Sequence, residues 1–278
     1  MPFELGYNTN GFAHHRLADA INVLAEIGYE SVAITLDYGA LNPFDDDILE
    51  QTASIVELLQ TRNMSCVVET GARFLLDSRQ KHWPTLLTPD PEQRQRRLDF
   101  LDRSMEIAAR LNAEAVSFWS GARDSAMSEK DCWTLLVDMC DELLTKAVQH
   151  DVWLAFEPEP DMFVDRLSQF QRLADELSHP RFGLTLDVGH VHCLEDGTPS
   201  DRIREFGKKL LNIHIEDMKT GIHDHLMFGE GEMAFDPIFE ALRDVQYTGT
   251  VNVELSRHSH DAVRTAERAF EFLSKLNG

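Results

Sequence analysis

Short runs of adjacent apolar residues alternate along the chain with longer stretches whose apolar positions recur every three to four residues. VAITL, AVSFW, VWLAF and LNIHI are near-continuous apolar runs. Strands covered on both faces look like this, which argues for parallel pairing beneath helices. Eight runs are predicted as strands: Phe3–Thr9, Ser31–Leu36, Met64–Thr70, Ala115–Trp119, Val152–Glu157, Phe182–Asp187, Leu210–Ile215 and Thr250–Leu255. Amphipathic segments predicted as helices follow each one, at 14–27, 45–62, 91–111, 128–149, 163–178, 200–208, 236–245 and 260–276. In the third, Leu98, Leu101, Met105, Ile107, Ala108 and Leu111 share a face. Gly28, His179-Pro180 and Asp236-Pro237 punctuate helix ends and starts. Eight β-then-α units in 278 residues predict an α/β protein, a single (β/α)₈ TIM barrel spanning 1–278 as one domain. The rival is a doubly wound open sheet. That fold commonly opens on a Gly-rich phosphate turn, and Asn8-Thr9-Asn10-Gly11 is not one.

Two segments exceed the length of plain turns, Gly71–Asp90 after the third strand and Glu216–Phe235 after the seventh. Both follow strands, so both belong on the C-terminal face of a barrel, where active sites sit.

Composition narrows the partners. Lys and Arg number 26 against 48 Asp and Glu, a net charge of −22. With no Lys/Arg-rich run, nucleic acid and anionic membranes are not expected partners. Cys66, Cys132, Cys140 and Cys193 form no C-x-x-C pair and read as packed, reduced thiols. The beginning MPFELGYNTN has neither a basic nor an apolar leader region, and no stretch has the length of a membrane span. A soluble, unexported, cytoplasmic protein is expected. Homo-oligomerisation is left open.

The chemistry gathers at the ends of the last four strands. LAFEPEP places Glu157 at the rim, LTLDVGH places Asp187 and His190, LNIHIED contains His214, and VNVEL contains Glu254. An ionisable group ending a buried apolar strand must be paired, hydrogen-bonded or metal-bound. Taken alone, each carboxylate reads as a loop cap or ion-pair partner sooner than as a ligand, and His214 as a satisfied core histidine. Four of them on four consecutive strands, all at one end, converge on the barrel axis. Three carboxylates and an imidazole suit a divalent metal ion, Mn²⁺, Mg²⁺, Co²⁺ or Zn²⁺, with no organic cofactor.

E-P on the fifth strand, L-D-x-G-H on the sixth, H-I-x-D on the seventh and V-E-L on the eighth resemble the xylose-isomerase-like barrel superfamily. That group includes sugar and sugar-phosphate isomerases and epimerases, hydroxypyruvate isomerase, inosose dehydratase and nucleases of the endonuclease IV type. The resemblance covers the barrel in outline and is specific in its second half. It implies that Glu157, Asp187, His214 and Glu254 ligate a divalent ion, that His190 faces substrate, and that Glu157 and Glu254 form the acid/base pair. Shifting a carbonyl along a sugar requires removing and returning a proton, and a metal stabilises the enediolate between those steps. The ending His225 to Gly231, H-x-x-x-G-E-G, also resembles the family's loop. In the nuclease branch an Asp-x-His pair before G-E-G joins the strand-six histidine on a further metal; here the pair is His223-Asp224-His225. A second metal site from His190, His223 and His225 therefore stands beside the reading of His225 as a substrate contact. Histidine ligands of the early strands have no counterpart, since those strands end in VVETG and FWSG.

Arg73, Lys81 and His82 in the third loop and Arg123 in the fourth are read as cations for an anionic substrate group. The alternative is plain surface charge. Trp83 and Trp119 are candidate apolar walls. Glu69 is read as a substrate-hydroxyl contact or a partner of Arg73, and Lys219 as a rim cation or a partner of Asp217. The expected activity is isomerisation or epimerisation of a small sugar, sugar phosphate or hydroxy-carbonyl compound. An inosose-type dehydratase and a metal-dependent phosphoesterase are the alternatives.

Overall fold

Strands that are apolar on both faces need cover on both, and closure into a barrel ringed by helices provides it. The computed structural model describes residues 3–277. Its strands are β1 (Glu4–Asn8), β2 (Ser31–Thr35), β3 (Ser65–Glu69), β4 (Val116–Phe118), β5 (Leu154–Phe156), β6 (Phe182–Asp187), β7 (Leu210–Ile215), β8 (Asp217–Lys219), β9 (Ile222–Leu226) and β10 (Thr250–Val253). The helices are α1 (Leu17–Ile27), α2 (Ile48–Arg62), α3 (Pro91–Leu111), α4 (Glu129–His150), α5 (Leu167–Leu177), α6 (Val188–Leu194), α7 (Pro199–Phe206), α8 (Asp236–Asp244) and α9 (Ala262–Asn277). The barrel closes in the order β1-β10-β7-β6-β5-β4-β3-β2, all parallel. These are the eight predicted strands, and the open-sheet rival is excluded. No helix among the described residues is long and apolar enough to cross a membrane.

Two elements depart from the sequence reading. α6 follows β6 directly, because the Asp187 carboxylate accepts from the backbone N–H of His190 at 2.8 Å and caps a new helix. The predicted 200–208 helix is α7, followed by a 3-10 turn. The segment after β7 is ordered as the antiparallel β8–β9 hairpin.

Side chains two apart on a strand share a face. One inward row at the C-terminal mouth therefore holds Asn8, Thr35, Glu69, Trp119, Glu157, Asp187, His214 and Glu254. The row below includes Ser117, Thr185, Asn212 and Asn252, joined across the interior. The Thr185 hydroxyl donates to Ser117 Oγ at 2.9 Å, and the Asn252 amide donates to Asn212 Oδ1 at 2.9 Å. Outward positions such as Val116, Leu184, Ile213, Ile215, Val251 and Val253 are fully buried. The apolar core thus lies between sheet and helices, and the barrel interior is polar. At about 25 cal/mol per Å² of apolar surface removed from water, each such side chain contributes roughly 1.5–3 kcal/mol.

Candidate active site

Strand pairing sets the cluster. Asp187 is in register with His214 across β6–β7, and His214 with Asn252 across β7–β10. Glu157 and Glu254 stand one residue past β5 and β10. Ligand atoms of Glu157, Asp187, His214 and Glu254 all lie within 4.8 Å of one another. His214 Nδ1 is 3.1 Å from Glu157 Oε1, 2.9 Å from Glu254 Oε2 and 4.0 Å from Asp187 Oδ2.

The other face of that imidazole is held from across the barrel. His214 Nε2 donates to Glu69 Oε1 at 2.9 Å, and the same oxygen accepts from the Asn212 amide at 2.9 Å. This leaves Nδ1 as the nitrogen turned toward the three carboxylates. A lone pair facing three carboxylates is stable only with positive charge among them, either a proton or a cation. Burial opposes protonating His214, but Glu69, Glu157 and Glu254 overcome it and raise its proton affinity well above the ordinary value. Asp187 Oδ2 is buried without a hydrogen-bond partner. A nitrogen and three hard carboxylate oxygens, one of them buried and orphaned, fit a divalent ion.

A second group adjoins the first. Nε2 of His190 and Nε2 of His223 are 3.1 Å apart, and Nε2 atoms of His223 and His225 are 3.2 Å apart. Behind them, His225 Nδ1 is 3.7 Å from Glu216 Oε2, and His190 Nδ1 is 3.7 Å from Glu159 Oε2. Glu216 is fully buried with neither carboxylate oxygen hydrogen-bonded.

The cluster opens into a cavity of about 440 Å³ lined by Asn8, Asn10, Thr35, Glu69, Arg73, Lys81, His82, Trp119, Glu157, His223, His225 and Glu254, among others. That volume suits a small-molecule ligand. His190 and Asp187 do not line it. His190 instead packs edge-on to His223 with ring centroids 4.8 Å apart.

Several expectations about the loops need correction. Arg73 pairs with Asp37 at 2.8 Å rather than with Glu69, whose carboxylate is taken by His214 and Asn212. His82 is not a cation at neutral pH. Its Nδ1–H donates to Gly71 O at 2.6 Å, and burial, with Lys81, Arg97 and Arg73 nearby, lowers its pKa to about 4. Lys219 is exposed and does not neutralise Asp217. The Asp217 carboxylate accepts from the backbone N–H groups of Met218, Gly229, Gly231 and Met233 at 2.8–3.1 Å. Arg123 is exposed, and Trp83 does not line the cavity.

Sequence reasoning missed Asn10, whose amide donates to Glu254 Oε1 at 2.8 Å. It also passed over Glu159 and Glu216, although both stand inside the quoted EPEP and HIED motifs.

The sequence model of the xylose isomerase-like TIM barrel matches residues 21–276. An uncharacterized protein of Methanocaldococcus jannaschii is 26% identical over 108 residues, 38% of this chain and just 36% of that protein's length. L-ribulose-5-phosphate 3-epimerase UlaE of Shigella flexneri is 22% identical over 194 residues, 69% of this chain and 68% of that one. Among solved structures, D-allulose 3-epimerase from Methylomonas sp. in complex with D-allulose superposes with TM-score 0.76 at 18% identity, covering 99% of this chain and 97% of that one. IolI protein with a bound zinc atom superposes with TM-score 0.76 at 19% identity, covering 98% and 99%. At these identities the superpositions speak to the fold.

Proposed function

The chain belongs to the xylose isomerase-like TIM barrel family, and from that premise we propose that it is a divalent-metal-dependent isomerase or epimerase of a small sugar or related hydroxy-carbonyl compound. The observation that carries the reading is the placement of the Glu157 and Glu254 carboxylates about one His214 nitrogen, at 3.1 and 2.9 Å, beside a cavity of about 440 Å³. The epimerase names of the curated relative and of the D-allulose complex support the substrate class. The zinc in IolI protein supports a metal.

The residues divide the work. Glu157, Asp187, His214 and Glu254 would hold the ion. When bound, a divalent ion supplies the positive charge that polarises a substrate carbonyl and stabilises negative charge developing on its oxygen. Glu157 and Glu254 arrive from opposite sides of His214, so one removes the proton beside the carbonyl while the other returns it. Asn10 orients Glu254 through its 2.8 Å hydrogen bond. Glu69 and Asn212 fix the His214 ring. Trp119 walls the cavity.

The test is deuterium uptake from heavy water across ketoses, their phosphates and inososes with Mn²⁺ present. At least one compound should exchange a carbon-bound hydrogen. Glu157→Gln and Glu254→Gln should each slow that exchange at least about a hundredfold, with unchanged circular dichroism. Full exchange by either variant removes that residue from proton transfer. No exchange with any compound overturns the reading.

A second reading, a phosphoesterase using more than one ion, rests on the convergence of His190, His223 and His225. Three imidazoles favour Zn²⁺. Elemental analysis decides between the two: one ion per chain supports the isomerase, and two or three support hydrolysis.

A further inference from the structure

The cavity is bipolar. Glu157, Glu159 and Glu254 line one side, where the cation Arg257 is paired with Asp224, and Arg73 and Lys81 line the side formed after β3. A third cation, Arg97 of α3, lies beneath that second side with its guanidinium 4.6 Å from the Trp119 ring. Arg97 is 2% exposed and pairs with no carboxylate among the described residues. Its one hydrogen bond is a long 3.5 Å contact to Thr70 O. His82 also lines the cavity and lies within the field of all three cations.

Their counter-charge is incomplete. Asp37 takes the Nε of Arg73 at 2.8 Å. The terminal nitrogens of Arg73 make no hydrogen bond and Lys81 makes no ion pair among the described residues. Glu69, the nearest cavity carboxylate on this side, is held by His214 and Asn212. The Trp119 indole N–H donates to no protein atom among the described residues, although Trp119 lines the cavity. Of the three, Arg97 alone is buried, and a buried cation is ordinarily paired because desolvation without a partner is costly; Arg73 is partly exposed and Lys81 exposed at the cavity mouth, both reachable by a ligand. In a chain of net charge −22, cations left over beside a cavity mark where negative charge is meant to sit.

We infer that the β3 side of this cavity is a subsite for an oxyanion substituent of the substrate, a phosphate or a carboxylate. Arg73 and Lys81 would donate to its oxygens, with the Trp119 N–H completing the cradle. Arg97 would contribute field from below rather than contact. This deepens the preceding reading, since the anion would belong to the compound whose carbonyl reaches the Glu157–Glu254 cluster. The ligand then lies with its reacting end at the carboxylates and its charged end at the cations, which fixes its direction in the pocket.

Glycerol, glycerol 3-phosphate and glycerate serve as matched probes, neutral, phosphorylated and carboxylated. Calorimetric titration of the metal-loaded protein should show at least one anion binding at least about tenfold more tightly than glycerol, with the preference shrinking as salt screens the site. The preferred anion identifies phosphate or carboxylate as the natural group. The double variant Arg73→Met/Lys81→Met should lose that preference while its affinity for glycerol holds. An anion bound at the metal instead would keep the preference in that variant, and so would overturn the proposal. Equal binding of all three probes would overturn it too. The readout needs no turnover, so absence of isomerase activity leaves this outcome standing on its own.

Discussion

At the residue scale, the informative side chain is Glu69. Its carboxylate meets His214 Nε2 at 2.9 Å and so selects which nitrogen faces the carboxylate cluster. Outer carboxylate–histidine contacts of this kind orient a ligating imidazole and raise its basicity. Glu69→Gln keeps the shape but offers either an amide oxygen or an amide N–H to the ring. It should weaken Mn²⁺ or Zn²⁺ binding by about 10–100-fold, read by competition against a chromophoric chelator, while the thermal midpoint of the metal-free protein barely moves. Unchanged metal affinity would reassign Glu69 to direct substrate contact. The Asn10 amide does the corresponding service for Glu254.

At the element scale, the β8–β9 hairpin decides whether the second histidine group exists at all. It delivers His223, half-buried, and His225, buried, onto His190 at the start of α6. The organiser is Asp217, which ties the returning Gly229–Met233 segment to β8 through backbone N–H groups. Gly231 permits this, because a Cβ there would collide with the Asp217 carboxylate itself. Asp217→Ala leaves several backbone donors without an acceptor, at about 1–3 kcal/mol each if they stay buried. The expected result is faster amide hydrogen exchange confined to 217–233, with β1 to β6 protected as before. Loss of protection throughout the barrel would show instead that the hairpin is part of the folding core.

At the scale of the whole molecule, the two ends of the barrel carry different electrostatics. At the N-terminal end, burial pushes the Glu114 carboxyl from 4.5 up to about 7, with Glu4 adding repulsion. Below pH 4.5 folded and unfolded chains are both protonated there. Between 4.5 and 7 the folded chain keeps a proton that the unfolded chain has lost, so stability falls as pH rises through this window and levels off above it. Glu114→Gln removes that slope. Urea unfolding midpoints should therefore be closer together for the variant than for the parent between about pH 5 and pH 8, and the variant should be the more stable at the upper end. A parent profile as flat as the variant's would count against the shift.

What the sequence alone determined is what local physics dictates. Alternating apolar runs and amphipathic segments require two-sided cover, so eight strands and a barrel were legible. Glu157, Asp187, His214 and Glu254 were legible because an ionisable residue ending an apolar strand cannot be left bare. Only closure of the barrel decided the rest. Glu69 and His214 are separated by 145 positions, and no local period predicts their contact. Arg73 could reach either Glu69 or Asp37 along the chain, and the loop path brought it to Asp37. The inward row turned out polar because neighbouring strands satisfy one another's side chains across the interior, as Asn252 does for Asn212. Which group bonds which depends on distance in space, and that is set by strand register and loop path rather than by residue type.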